Sequence, residues 1–219
     1  MRAGVGLAVA ALMSFVTPSV GHAAALGISS AYLTAATRTY GAPVTCTLTA
    51  VADSYVDRLL ATTNFGTSGV LNVNPSAVST ERVFVQFDLT ACSPAIPADA
   101  LVQTAQLRLT TASGVLATRT IDMRSVSASW TEAGVTWNTQ PAVAGSVTSS
   151  AGVTLGQGAG TVISWTATSE VQSFVTGATT DFGFRLSDSA EGAAVGVVLS
   201  FSSREAASGR PQLVVTYVA

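Results

Sequence analysis

The feature that most constrains the fold is a period-two alternation of apolar and polar residues that recurs along most of the chain. It is clearest in residues 82–89, RVFVQFDL. One face of this segment carries Val83, Val85, Phe87 and Leu89, and the other carries Arg82, Gln86 and Asp88. Strict alternation is typical of a β-strand with one buried and one solvated face. We therefore predict a strand here, with its apolar face in a core.

The same alternation appears in several further segments, which are rich in the β-branched residues threonine and valine. These segments are residues 104–110, 118–126, 181–187, 195–202 and 212–218, and a strand is also expected around Thr45–Thr49. Turns rich in Gly, Ser, Thr and Asn separate them. Short strands joined by such turns predict an all-β fold, an antiparallel β-sandwich of the jelly-roll type.

One segment has a helical period instead. Residues 168–177 place three apolar side chains at i, i+3 and i+4, namely Val171, Phe174 and Val175. Thr168 or Ser169 is a candidate N-cap, and Gly177 is a candidate end of the helix. We predict one short helix at the edge of the sandwich.

The first 25 residues have the composition of an export signal. Arg2 gives a positive start, and residues 5–16 form an apolar run that is too short to span a bilayer well. Small residues at 21–25 favour cleavage after Ala23 or Ala25, and an uncleaved anchor is the alternative. The predicted organisation is a signal peptide at 1–25, a lead-in segment at 26–49 and a β-sandwich at 50–219. We therefore expect a secreted protein that is extracellular or associated with the cell wall.

Both cysteines, Cys46 and Cys92, lie beyond the signal. An even count in an exported chain predicts a disulfide. The bond would close a loop of about 46 residues, which is worth about 4 kcal/mol in the chain-entropy model. The separation does not suit a zinc site.

The residue inventory argues against most catalytic chemistry. The only histidine is His22, inside the signal, so Ser-His and Cys-His nucleophile systems would have no base. Twelve acidic residues keep carboxylate-based glycoside hydrolysis open, but no motif singles out a pair. We predict a protein that is not an enzyme.

Charge composition limits the partners. The chain has no lysine and no basic run, so nucleic acid is not an expected partner. Beyond the signal, no apolar stretch is long enough to span a membrane, so no stable anchor is expected after cleavage. We expect a monomer.

Eight patches, in a fixed order, resemble one known family. They are ADSYVD (52–57), TNFG (63–66), RVFVQFDL (82–89), AQLRL (105–109), SWTEAGVTWN (129–138), ISWTATSEVQSFV (163–175), FGFRL (182–186) and FSSREAASGRPQLVVTY (201–217). From about Ala50 to Tyr217 the chain is similar to the DNRLRE-domain family, a group of secreted jelly-roll modules classed with alginate-binding carbohydrate-binding modules. The resemblance implies a non-catalytic module whose partner is an extracellular acidic polysaccharide, bound by basic residues on a sheet face.

Without lysine, only arginines can supply such a face. The predicted ligand-binding residues are four arginines of the alternating segments: Arg82, Arg108, Arg124 and Arg185. If their strands share a sheet, the guanidinium groups converge on one outer face, and each can match a carboxylate with paired donors. The alternative is that each arginine pairs locally with an acid, such as Asp88, Asp122 or Asp181. Arg204 and Arg210 flank a turn and are given a structural role.

Two further features have a structural interpretation as well as a functional one. Asp53, Asp57 and Asn64 leave calcium open as a cofactor, although no EF-hand spacing appears and we assign no metal ligands. Trp130 and Trp137 lie on either side of a predicted turn at 131–134, so we assign both to packing rather than to a sugar platform.

The sequence thus predicts a non-catalytic, secreted carbohydrate-binding module for an acidic, uronate-containing polysaccharide. Two alternatives stay open. One is a structural or adhesive cell-surface protein without a small ligand. The other is a carboxylate-based glycosidase or lyase.

Overall fold

A computed structural model describes residues 39–219, which form eleven β-strands, one 3₁₀ turn at Leu89–Ala91 and one α-helix, α1, at Thr168–Val175. The strands are β1 (Val44–Thr49), β2 (Ala52–Asp57), β3 (Val70–Val73), β4 (Glu81–Gln86), β5 (Leu101–Thr110), β6 (Arg119–Ser125), β7 (Ser149–Val153), β8 (Val162–Thr166), β9 (Phe184–Asp188), β10 (Leu199–Ser202) and β11 (Gln212–Val218). The predicted signal peptide and the first part of the lead-in lie outside the described residues. Within the described range, no helix is long and apolar enough to cross a membrane.

The strands form two main antiparallel sheets and a small third one. The four-stranded sheet has the order β1-β11-β5-β8, and the five-stranded sheet has the order β2-β4-β9-β6-β7. Strands β10 and β3 pair separately. Every pair of neighbouring strands is antiparallel, which confirms the predicted all-β sandwich. The strand predicted at the end of the lead-in is β1, and it pairs along its whole length with β11.

The main core lies between the two sheets and is built from the predicted apolar faces. The four-stranded sheet contributes side chains such as Leu107, Leu109 and Val215, and the five-stranded sheet contributes Met123 and Leu186, all with no exposed surface. The indole Nε1 of Trp165 on β8 donates to the carbonyl oxygen of Ile121 on β6, at 2.8 Å, so one buried hydrogen bond links the two sheets. Alternation therefore identified the inward faces correctly.

Several predicted strands are shorter in the structure, among them those at 195–202 and 82–89. The segment predicted at 195–202 forms β10 only from Leu199 onward, and Val195 is 81% exposed. The segment predicted at 82–89 ends as β4 at Gln86, and its last residues enter the 3₁₀ turn, where Asp88 accepts the Thr90 backbone N–H. An aspartate that bonds the backbone two residues ahead competes with the strand ladder, which explains the early end of β4.

The helix forms where the 3.6-residue period placed it, and Val171 is its buried residue. The predicted N-cap is wrong, because Ala167 occupies that position without a side-chain cap. The Thr168 hydroxyl oxygen instead accepts the Ala105 backbone N–H of β5 at 3.0 Å. Gly177 follows the helix with φ of 71°, as expected of a residue that ends a helix in the left-handed region. Docking to β5, rather than a local cap, holds the first turn.

The predicted disulfide is present. Cys46 on β1 bonds Cys92, which directly follows the 3₁₀ turn. Both cysteines are buried in the main core. The bond therefore fastens the edge strand of the four-stranded sheet to the connection between β4 and β5.

We predict that replacing both cysteines with alanine lowers the free energy of unfolding by about 4 kcal/mol, because the open chain regains the entropy of a loop of this length. Urea unfolding of the oxidised wild type and the double variant measures the difference. A loss below about 1 kcal/mol would contradict the entropic account.

Candidate functional site

The outer face of the five-stranded sheet is not fully solvated, contrary to the expectation from strict alternation. Phe84 shares this face with Arg82, since the two are separated by two positions on β4. Phe84 has no exposed surface, like the inward-facing Val83 and Val85 on either side of it. Strand β4 is therefore covered on both faces, and a second, smaller apolar cluster lies outside the sandwich core.

The segment that covers this face is SWTEAGVTWN, residues 129–138. The cluster consists of Val56, Phe84, Val126 and Val135, packed against Trp130, Trp137, Val143 and Phe182. The Trp130 ring lies 5.8 Å from the Phe84 ring, and its Nε1 donates to the carbonyl oxygen of Phe182 at 2.9 Å. Both tryptophans are partly buried in this packing, which confirms their structural assignment.

The predicted turn at 131–134 is confirmed and is fastened at its base. The backbone N–H groups of Gly134 and Val135 both donate to the Thr131 carbonyl oxygen. The Asn64 side-chain amide donates to the carbonyl oxygens of Glu132 and Val135, at 2.7 and 2.8 Å. The turn therefore cannot shift along the sheet without breaking contacts to the segment after β2.

A second short loop completes the cover. The Asp181 carboxylate accepts the Gly183 backbone N–H at 2.8 Å, and Phe182 between them supplies the carbonyl that Trp130 uses. Gly183 has φ of 79°, and a Cβ there would overlap the carbonyl oxygen of Val85. Only glycine fits this close approach of two backbones.

Three of the four predicted arginines share the outer face. Arg124 on β6 is directly opposite Arg185 on β9, and Arg185 is opposite Phe84 on β4. Arg82 lies two residues from Phe84 on the same strand, so it projects from the same face. We call Arg82, Arg124 and Arg185 the arginine row.

Arg82 is fully engaged by protein groups. Its Nε and Nη2 donate to the two carboxylate oxygens of Glu191, each at 2.7 Å, and its Nη1 donates to the Gln140 side-chain oxygen at 2.9 Å. The guanidinium carbon lies 4.5 Å from the centre of the Trp137 ring. One face of this ring is therefore covered by a cation and is closed to a stacking sugar.

Arg124 and Arg185 are not paired in this way. Among residues 39–219, neither side chain makes a salt bridge or a hydrogen bond, and the buried Nε of Arg185 has no acceptor. Burial lowers the pKa of Arg185 to about 10, and the charges of Arg82 and Arg124 act in the same direction, while Glu191 opposes them. Like charges directly opposite each other on two strands are destabilising. The Arg124–Arg185 pair therefore lowers the stability of the protein when no ligand is bound.

Arg108 does not join the row. The four guanidinium groups could converge only if their strands shared one sheet. Strand β5 belongs to the four-stranded sheet, whereas β4, β6 and β9 belong to the five-stranded sheet. Arg108 projects from the outer face of the four-stranded sheet, where its Nη2 donates to the Gln106 side-chain oxygen at 2.9 Å. A strand's period fixes which residues share a face, but it does not assign the strand to a sheet.

The acids proposed as local partners of the four arginines are engaged elsewhere. Asp88 accepts from Thr90, Asp122 accepts from the Ser150 hydroxyl, and Asp181 accepts from Gly183. Local pairing does occur at Arg82, but with Glu191, which is 109 residues away in sequence. The sequence did not indicate Glu191 as a site residue, because Glu191 lies in a loop outside the alternating segments.

The predicted structural role of Arg204 and Arg210 is confirmed. Arg204 Nη1 donates to the carbonyl oxygen of Val51 at 2.7 Å and to both carboxylate oxygens of Glu132. Arg210 Nε donates to the carbonyl oxygen of Ala206 within the same turn. Both guanidinium groups hold chain segments together rather than facing a ligand.

The three residues that left calcium open do not form one group. Asn64 is used by the 131–134 turn, and Asp57 accepts the Leu59 backbone N–H. Asp53 instead lies with Glu132 and Glu205, and one oxygen of each carboxylate is within 4.8 Å of the others. Burial raises the pKa of Asp53 to about 7, and the charges of Glu205 and Glu132 also raise it. The hydrogen bond from the Arg204 backbone N–H acts in the opposite direction and lowers it.

Comparison with known proteins identifies the family. The model of carbohydrate-binding module family 96 matches residues 44–217, and the chain therefore belongs to that family. The matched range begins at β1 and ends in β11, so it covers both main sheets. The comparison with curated proteins finds no match to this chain.

We predict a pH-dependent gain in stability for Asp181→Asn. Burial raises the pKa of Asp181 to about 6 from 3.8, so its ionised form is disfavoured in the folded state. The loss of stability that comes from ionising Asp181 is absent below about pH 4, grows as the pH rises to about 6, and is complete above that pH. Asparagine keeps an acceptor for Gly183 without the charge. Urea unfolding should show about 1–3 kcal/mol more stability for the variant at pH 7 and equal stability below pH 4. The same difference at both pH values would contradict this assignment.

Proposed function

We propose that this module binds an acidic, uronate-containing polysaccharide through the arginine row, with one sugar carboxylate placed between Arg124 and Arg185. Membership of carbohydrate-binding module family 96 supports a glycan partner and a non-catalytic role. The observation that carries the acidic specificity is the pair of opposed guanidinium groups that have no carboxylate or hydrogen-bond partner in the described part of the chain.

The charge of the row favours an anion. Of the three guanidinium groups, only that of Arg82 forms a salt bridge within residues 39–219, with Glu191, so these four side chains carry a net charge of +2 on a protein whose overall charge is −2. A bound carboxylate would offset the repulsion between Arg124 and Arg185. Binding would therefore be favoured in part because it removes the repulsion between these two arginines that is present in the free protein.

The hydrogen-bonding capacity of the pair also matches a carboxylate. A guanidinium presents planar paired donors, and a carboxylate has two oxygens that accept them. Such charge-assisted bonds are roughly twice as strong as bonds between neutral groups. A neutral sugar offers hydroxyl groups only, and it would leave both positive charges uncompensated.

Arg82 has a positioning role in this proposal. Glu191, Gln140 and Trp137 hold its guanidinium from three sides, so it adds positive potential next to the pair without a free donor fork. Trp137 thus contributes to the site by orienting a cation.

Affinity electrophoresis in gels that contain alginate or polygalacturonate tests the proposal. We expect both polymers to retard the wild type, and carboxyl-reduced alginate to have no effect, because it has the same backbone without the acid. Arg124→Ala and Arg185→Ala should each weaken binding about tenfold or more, as expected for loss of a charge-assisted bond. Binding should also weaken with added salt.

Arg108→Ala is the matched control, since it removes the same charge from the outer face of the other sheet. It should bind like the wild type. Equal weakening in Arg108→Ala would show a diffuse charge effect and would overturn the arginine row as the site. Absence of retardation by any acidic polymer would favour the alternative of a structural or adhesive protein, and release of reducing sugar would favour the carboxylate-based enzyme.

A further inference from the structure

Three carboxylates from distant parts of the chain meet at the open edge of β2. Asp53 lies on β2, Glu132 lies in the 131–134 turn, and Glu205 lies in the turn between β10 and β11. One oxygen from each carboxylate lies within 4.8 Å of the others. We call this group the carboxylate cluster; it is separate from the arginine row and belongs to no part of the proposed glycan site.

The most buried member has an unused oxygen. Asp53 is only 1% exposed, and its Oδ2 accepts the Arg204 backbone N–H at 2.8 Å. Its Oδ1 is buried and has no hydrogen-bond donor. A buried carboxylate oxygen without a donor is costly unless a proton or a cation compensates it.

The charges at the cluster do not balance within the described chain. Arg204 is the cation that contacts the cluster, with Nη1 2.9 Å from Glu132 Oε2 and Nε 3.7 Å from a carboxylate oxygen of Glu205. When all three carboxylates are ionised, they and one guanidinium leave a net charge of −2. A divalent cation would neutralise this remainder.

We propose that Asp53, Glu132 and Glu205 form a binding site for a divalent cation of the calcium type. Oxygen-only donors suit hard cations such as Ca²⁺ rather than thiolate- or imidazole-seeking metals. Calcium–oxygen distances are about 2.3–2.6 Å, so ligands on opposite sides of the ion are about 5 Å apart. The three oxygens, which lie within 4.8 Å of one another, are compatible with this range.

A cation at this position would join three segments that are otherwise held by side-chain hydrogen bonds. Glu132 Oε1 already accepts the Asp53 backbone N–H at 2.9 Å, across 79 residues of sequence. The ion would fasten the 131–134 turn to β2 and to the last turn before β11. Its effect should therefore be seen in the stability of the fold, whether or not a glycan is present.

Thermal unfolding of the chelator-treated protein, with Ca²⁺ as the probe, tests this inference. We expect the Tm to rise by about 3–8 °C in about 10 mM Ca²⁺, which is the shift for a site with the affinity typical of extracellular modules. A NaCl solution of equal ionic strength should give no comparable rise. Calorimetric titration should show one site per chain.

Glu205→Gln is the main variant, because this side chain is 30% exposed and its loss should leave the fold intact. It should lower Ca²⁺ affinity about tenfold or more and remove most of the Tm shift, since affinity follows the charge of the ligand set. Asp53→Asn should do the same if it folds. Glu170→Gln on α1 is the matched control and should respond to Ca²⁺ like the wild type.

Two outcomes would overturn the inference. One is a wild-type Tm that does not change with Ca²⁺ beyond the effect of NaCl. The other is a full Ca²⁺ response in Glu205→Gln, which would place the bound ion elsewhere. Because no glycan is present in either measurement, these outcomes leave the proposed glycan site to be judged by its own test.

Discussion

The packing of Trp130 on Phe84 is the contact on which the candidate site depends. Strand β4 is apolar on both faces at Val83, Phe84 and Val85, so the sandwich core alone cannot cover it. Full burial of a phenylalanine contributes about 1.5–3 kcal/mol, which is a large fraction of the stability of a domain. The segment 129–138 provides this second cover, and the Trp130 hydrogen bond to Phe182 fixes where it lies.

The segment 129–138 covers only part of the outer face of the sheet, and the arginine row lies at the boundary of the covered part. Trp137 lies at the far end of this segment, at the edge of the apolar cluster, and the guanidinium of Arg82 stacks over its ring. Beyond it, Arg124 and Arg185 remain without partners in the described chain. The same loop thus buries the apolar half of the face, and the partly exposed Arg124 and Arg185 in the other half are where we propose that an acidic ligand binds.

Glu132 links this loop to the rest of the fold. Its backbone carbonyl accepts the Asn64 amide, its carboxylate accepts the Asp53 backbone N–H, and Arg204 contacts both of its carboxylate oxygens. A backbone N–H at the open edge of a sheet is otherwise exposed to water or to another chain, and a carboxylate acceptor satisfies it. One glutamate therefore caps the edge strand β2 and positions the segment that covers the outer face of the same sheet.

By itself, the sequence determined the class of the fold, the inward faces of most strands, the position of the helix and the Cys46–Cys92 disulfide. These depend on local period and on residue chemistry, which a linear pattern records. The tertiary structure alone decided that Arg108 lies on a different sheet from Arg82, Arg124 and Arg185, because strand order is set by non-local pairing. It also brought Glu191 to Arg82 and placed Asp53, Glu132 and Glu205 together. Such contacts join residues many tens of positions apart, and a local pattern carries no information about which distant segments will meet.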